Sequence, residues 1–84
     1  MPKTLLELRQ QIDALDLELL ARLNQRASLA HEVGEIKRLE GSTIFRPDRE
    51  TQVINQLRSG NPGPLKNSSV TLIWRQSIAR PPVR

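Results

Sequence analysis

Two basic side chains, Arg26 and Lys37, are the first candidates for chemistry in this sequence. They are eleven residues apart, so on a helix they share one face, about 16 Å apart along the axis. Leu23 and Val33 lie on the same face, and an unpaired charge buried among such side chains costs several kcal/mol. Because arginine binds carboxylates bidentately and lysine binds as a point charge, we predict a site for a carboxylate-bearing anion.

A second group of charges follows on the next predicted helix. Glu50 lies within its apolar side and Arg49 flanks that side, which consists of Val53, Ile54 and Leu57. Core-facing charges therefore recur on two helices, and the cations outnumber the nearby acids. Such charges can also form interhelical salt bridges, or rest their stems on apolar surface while their heads reach water. For the group as a whole we favour a pocket that binds an anion.

Arg9 can join Arg26 and Lys37 in one pocket only if it comes from a second chain. It precedes Arg26 by 17 residues, about 25 Å along a helix and about 100° around it. Arg9 therefore cannot serve the same pocket within one chain. In an antiparallel or crossed dimer, the Arg9 of a partner chain can reach it.

Three helices must position these residues, and we predict them at 4–40, 47–58 and 67–80. A capping box, Thr4 to Glu7, starts the first helix, and Gly41 follows its end. This helix is about 54 Å long, whereas a compact chain of 84 residues has a radius of gyration of about 12 Å. The sequence predicts an all-α fold and a symmetric dimer that covers the long helix.

The ends of the other two helices have their own signals. Pro47 fits the first turn of the second helix, with Asp48 and Glu50 near its positive end. Asn67 or Ser68 is the predicted cap of the third helix, whose predicted face is Val70, Ile73, Trp74 and Ser77. Pro81 and Pro82 are expected to end that helix, since neither can donate the helical hydrogen bond.

Composition excludes several classes of protein. The chain has no Cys and one His, so disulfides and thiolate metal sites are excluded. No apolar run approaches a membrane span or a signal peptide, which predicts a soluble cytoplasmic protein. The net charge of +4 comes entirely from residues 66–84, and two aromatic residues offer little for base stacking, so we expect no nucleic-acid partner.

The sequence resembles the all-helical chorismate mutases, and in particular the N-terminal mutase domain of bifunctional chorismate mutase/prephenate dehydratases. The stretches that carry the likeness are LRQQIDALDLELLARLNQRASLAHEVGEIK, FRPDRETQVINQL and GNPGPL, within about residues 5–75. The resemblance implies an intertwined homodimer of three-helix chains, with two active sites built from both chains. It also implies an isomerase for the Claisen rearrangement of chorismate to prephenate, in phenylalanine and tyrosine biosynthesis, without cofactor or metal.

Residue roles follow from the same resemblance. Arg26 and the partner's Arg9 would bind the two carboxylates of chorismate. Lys37 would donate to the ether oxygen and to a carboxylate. Glu50 would hold the ring hydroxyl, and Arg49 would support the carboxylate cluster.

Two departures from the family pattern modify this expectation. Position 46 is often acidic in the family, whereas here it is Arg46, so only a backbone role in substrate binding is expected there. The family also extends its third helix and supplies polar contacts to the substrate, which would fall at Pro81 and beyond Arg84. We therefore expect an end that is truncated or altered after about residue 75, and impaired activity.

Two other functions fit part of the pattern. The same fold can eliminate pyruvate from isochorismate, although the GNPGPL linker argues against that reaction. A non-catalytic helical dimerisation module would use Arg26 and Lys37 structurally. Identification of the product, as prephenate or salicylate, separates these functions.

Overall fold

The fold is entirely helical in the part of the chain that the structure, a computed structural model, describes, namely residues 2–41 and 47–78. Helix α1 is Leu5–Glu40, α2 is Pro47–Gly60 and α3 is Asn67–Ile73, followed by a π-helical turn at Trp74–Ile78. The predicted all-α class is confirmed. None of these helices has the length and apolarity needed to cross a bilayer.

Helix α1 begins at a hydrogen-bonded cap. The Glu7 amide donates to Thr4 Oγ1 at 3.1 Å, and the Thr4 hydroxyl donates to Glu7 Oε1, also at 3.1 Å. The Glu7 carboxylate thus reaches back to the cap and accepts from its hydroxyl. At the other end Gly41 has a φ of +75°, the left-handed conformation in which glycine commonly follows a helix.

Helix α1 forms one structural unit, Met1–Glu40, and Gly41–Arg84 forms the other. No residue of α1 is buried, and Leu15 and Val33 are 61% and 54% exposed. Leucines also lie on the opposite face of α1, where Leu17 is exposed as well. A helix of 36 residues that exposes so many large apolar side chains lacks a core of its own.

The second unit has a small core between α2 and α3. Ile54 and Val70 are buried, and Val53 and Leu57 are half-buried. Arg58 joins the two helices, because its Nη1 donates to Thr71 Oγ1 at 2.8 Å. Helix α2 continues to Gly60, two residues past the predicted end, a usual margin for a terminal helical turn.

The linker between α2 and α3 is organised by Asn61. Its Nδ2 donates to the Leu65 carbonyl at 2.6 Å and to Asn67 Oδ1 at 2.8 Å, and its Oδ1 accepts from the Gly63 amide at 3.0 Å. Gly63 has a φ of +74°, a conformation that suits glycine. These contacts hold the chain between the two helices.

The predicted cap of α3 is wrong. Lys66 occupies the cap position and makes no side-chain capping bond, while its carbonyl accepts from the amides of Ser69 and Val70. Asn67 begins the helix, and its side-chain oxygen accepts from Asn61, which offers it an amide donor in the linker. The prediction considered only local capping and missed this contact across the linker.

The face of α3 follows the prediction in part. Val70 is buried and Trp74 is half-buried, but Ile73 is 40% exposed. The change to π-helical geometry at Trp74 alters the 3.6-residue period on which the predicted face was based. The predicted end at Pro81 and Pro82 lies outside the described residues.

Candidate anion-binding site

The candidate residues of the first unit, Arg26 and Lys37, lie on one continuous helix, α1. Both are half-buried on a helix whose residues are mostly exposed, and the helical rise puts them about 16 Å apart along its axis. Lys37 makes no hydrogen bond or ion pair with other residues that the structure describes. Its ammonium group therefore keeps its donors for water or for a ligand.

Arg9 lies on the same helix but far from these two residues. Its side chain is exposed, and the rise of α1 puts it about 25 Å from Arg26. A single α1 helix therefore does not bring Arg9 and Arg26 together. Only another copy of α1 can place an Arg9 beside the Arg26–Lys37 face.

The candidate residues of the second unit are in the first turn of α2. Glu50 is half-buried, whereas Arg49 is exposed and donates its Nη1 to Gln52 Oε1 at 2.7 Å. An acidic residue at this end of a helix is stabilised by the helix dipole. Arg46, the remaining predicted residue, lies outside the described part of the chain.

A shallow cleft on the polar side of α2 is a poor alternative site for an anion. Its volume is about 780 Å³, and Asp48, Thr51 and Gln52 contribute to its lining. None of the predicted cations that the structure describes lines this cleft, and Asp48 would repel a carboxylate. The Arg26–Lys37 face of α1 is better suited to a dianion.

Two residues that position the second unit were missed from the sequence. Arg58 marks only the end of a helix in the sequence pattern, yet it bonds Thr71. Asn61 falls in a predicted turn region, yet its amide makes three hydrogen bonds. An asparagine directly before a Pro-Gly-Pro segment was a usable signal, since asparagine side chains commonly bond turn backbone.

Comparison with protein families gives a match over most of the chain. The family described as "Chorismate mutase type II" matches residues 8–80. A bifunctional chorismate mutase/prephenate dehydratase of Neisseria gonorrhoeae is 39% identical over 71 residues, which are 84% of this chain and 19% of that protein. A chorismate mutase of Methanocaldococcus jannaschii is 38% identical over 58 residues, 69% of this chain and 59% of that protein.

A solved structure agrees with these relatives. The chorismate mutase of Thermus thermophilus superposes with a TM-score of 0.85 at 26% identity, over 88% of this chain and 92% of that one. This chain spans about a fifth of the length of the bifunctional relatives. The fold is thus shared with a protein of similar extent, while the bifunctional relatives continue well beyond the matched region.

Proposed function

Because this chain belongs to the chorismate mutase type II family, we propose that it catalyses the rearrangement of chorismate to prephenate. The observation that carries the proposal is the pair of half-buried cations, Arg26 and Lys37, on one face of α1 within the matched region. Chorismate has two carboxylates that cations can bind. Its rearrangement requires the enzyme to hold the substrate in a reactive conformer and requires no nucleophilic attack on it.

The chemistry agrees with these residue types. The rearrangement is unimolecular and requires no nucleophile, no proton transfer and no cofactor. An enzyme accelerates such a reaction by holding the substrate in its folded, reactive conformer. It can also place positive charge where the breaking C–O bond leaves negative charge on the ether oxygen. Arginines and one lysine are sufficient for both tasks.

The proposed roles divide the residues by what they bind. Arg26 and the partner's Arg9 bind the carboxylates, and Lys37 donates to the ether oxygen. Glu50 holds the ring hydroxyl and Arg49 supports the carboxylates, while residue 46 contributes through its backbone. Support for Lys37 is its half-buried position and its lack of a partner among the described residues.

We also propose a homodimer with two shared sites in the cytoplasm. Support comes from α1, which buries none of its residues and leaves Leu15 and Val33 more than half exposed. A second copy of the helix covers this surface and also brings an Arg9 to the Arg26–Lys37 face. The biosynthetic role of the family supports the cytoplasm, where chorismate would be made and used.

The dimer gives a direct prediction. Sedimentation equilibrium at micromolar concentration should show a dimer, and dilution should lower the helical circular dichroism signal, because α1 alone exposes its apolar side chains. The Arg38→Ala variant, altered at an exposed residue, should behave in the same way. A fully helical monomer at these concentrations would contradict the proposal.

The function itself is tested by identifying the product. Incubation with chorismate should deplete its absorbance and yield prephenate, whereas pyruvate elimination from isochorismate would yield salicylate. Arg26→Ala protein purified in parallel controls for contaminating mutase from the expression host. If neither substrate is consumed and the chain is a folded dimer, the non-catalytic dimerisation module replaces our proposal. The names of the relatives support neither alternative.

A further inference from the structure

The shared site restricts how two α1 helices can pack. This step relies on the proposed function, which brings the Arg9 of one chain to the Arg26–Lys37 face of the other. When two copies of a helix pack antiparallel about a two-fold axis, a residue before the axis lies level with the partner residue equally far after it. Arg9 lies level with the interval between Arg26 and Lys37 only if the axis crosses α1 between about residues 17 and 23.

The middle of the range from residue 17 to residue 23 is about residue 20. Glu18 lies two residues before this midpoint, and Arg22 lies two residues after it. Being four residues apart, they lie about 40° apart around the helix. Both are on the same edge of the stripe formed by Leu15, Leu19 and Leu23. A two-fold axis perpendicular to antiparallel helices brings the same edge of each helix together, so Glu18 of one chain faces Arg22 of the other.

The intrachain contacts leave these two side chains available. Arg22 donates its Nη1 to Gln25 Oε1 at 3.0 Å, toward the C-terminal end of α1 and away from Glu18. Glu18 makes no hydrogen bond or ion pair among the described residues, and both side chains are exposed. An acid and a base four residues apart on a helix commonly pair with each other, yet here they do not.

Gly34 is compatible with the same arrangement. It lies about 20° around the helix from Arg9, on the edge of the stripe opposite to Glu18. A Cβ built on Gly34 meets nothing within 4 Å among the residues that the structure describes. The partner's Arg9, which shares that edge, would therefore reach the site beside a residue that has no side chain.

We propose that Glu18 and Arg22 form two symmetry-related ion pairs across the dimer axis and set the register of the shared sites. The occupant of this surface is a second copy of the same chain, since the two charges are self-complementary about an axis near residue 20. Apolar contacts of Leu15, Leu19 and Leu23 supply affinity beside the ion pairs. The ion pairs select the antiparallel register, as flanking charges do between packed helices.

Mixing two charge-reversed chains tests this pairing. Glu18→Arg and Arg22→Glu each place like charges opposite one another in a homodimer. A heterodimer of the two variants instead has two opposite-charge pairs across the axis. After refolding an equal mixture, native mass spectrometry should show more than about nine-tenths heterodimer, against half for random pairing. High salt should reduce the excess by screening these exposed charges.

A matched pair of variants separates this effect from net charge and from pairing within one helix. Glu35→Arg and Arg38→Glu change the net charges equally, at an exposed ion pair of 2.8 Å that lies away from the Glu18–Arg22 edge of α1. An equal mixture of these two variants should pair randomly. Pairing within one helix cannot favour a heterodimer in either mixture, because each variant chain has like charges at both positions.

Each possible result of the two mixing experiments leads to one conclusion. Heterodimer excess in the first mixture alone supports the ion pairs. Random pairing in both mixtures, or equal excess in both, overturns them and leaves the proposed activity and the shared site intact. A monomeric unmodified chain overturns the ion pairs and the homodimer together, and the product assay then decides separately whether the activity survives.

Discussion

An equal mixture of Arg9→Ala and Arg26→Ala chains should regain about a quarter of the unmodified activity, although each variant alone is nearly inactive. Half of the dimers in a random mixture contain one chain of each kind. In each such dimer one site combines an intact Arg26 and Lys37 with an intact Arg9 from the other chain. The second site lacks both arginines. Each single variant should lose at least about a hundredfold in kcat/KM, because a substrate carboxylate loses its charged partner.

The control for this experiment is a mixture of Arg9→Ala with the double variant Arg9→Ala, Arg26→Ala. That mixture contains no intact Arg9, so no dimer can assemble a complete site and activity should stay at the level of the variants. Activity is measured after joint refolding, with dimer formation confirmed by sedimentation. If the first mixture is no more active than its components, each site is built within one chain and Arg9 has a different role.

The helices were predictable from the sequence because their signals are local. Thr4 and Glu7 mark the start of α1, and Gly41 takes the positive φ that its position after α1 requires. Pro47 begins α2 as expected. In each case the cause is a residue within one turn of the helix end, so sequence reasoning had the relevant partners in view.

The misassigned cap of α3 shows where such reasoning stops. Lys66 occupies the cap position without a side-chain capping bond, and Asn67, the first residue of the helix, accepts a hydrogen bond from Asn61 across the linker. The Arg58–Thr71 bond spans thirteen residues and was missed for the same reason. The Arg58–Thr71 contact depends on how two helices pack, which no local pattern encodes, whereas the asparagine before the Pro-Gly-Pro segment was a usable signal for the linker contact.

The candidate site likewise has residues that the local sequence predicts and a residue that depends on a contact with another chain. The sequence predicted which face of α1 carries Arg26 and Lys37, because helical periodicity determines it, and both residues are half-buried in the structure. The contribution of Arg9 depends on a second chain, which one helix cannot specify. It stays a prediction, as do the role of Arg46, which lies outside the described residues, and the altered end of the chain, which the structure describes only up to residue 78.

Lys37→Ala should lower kcat by about 10²–10³ while changing KM much less. The ether oxygen gains negative charge only as the C–O bond breaks, so a donor directed at it binds the transition state more strongly than the substrate. Arg26 is different, because the carboxylate it binds is charged throughout the reaction. Arg26→Ala should therefore raise KM, or the dissociation constant of a dicarboxylate inhibitor, by a larger factor than Lys37→Ala does.

Arg38→Ala is the matched control for Lys37→Ala, because it removes a cation from the adjacent position of the same helix. Arg38 is exposed and pairs with Glu35 at 2.8 Å on the surface, a contact of little energetic value. This variant should keep both kcat and KM. Steady-state kinetics on dimeric protein, followed by the loss of chorismate absorbance, separates the two parameters. If Lys37→Ala changes only KM, Lys37 binds the ground state as Arg26 does, and the charge on the departing oxygen is stabilised by another group.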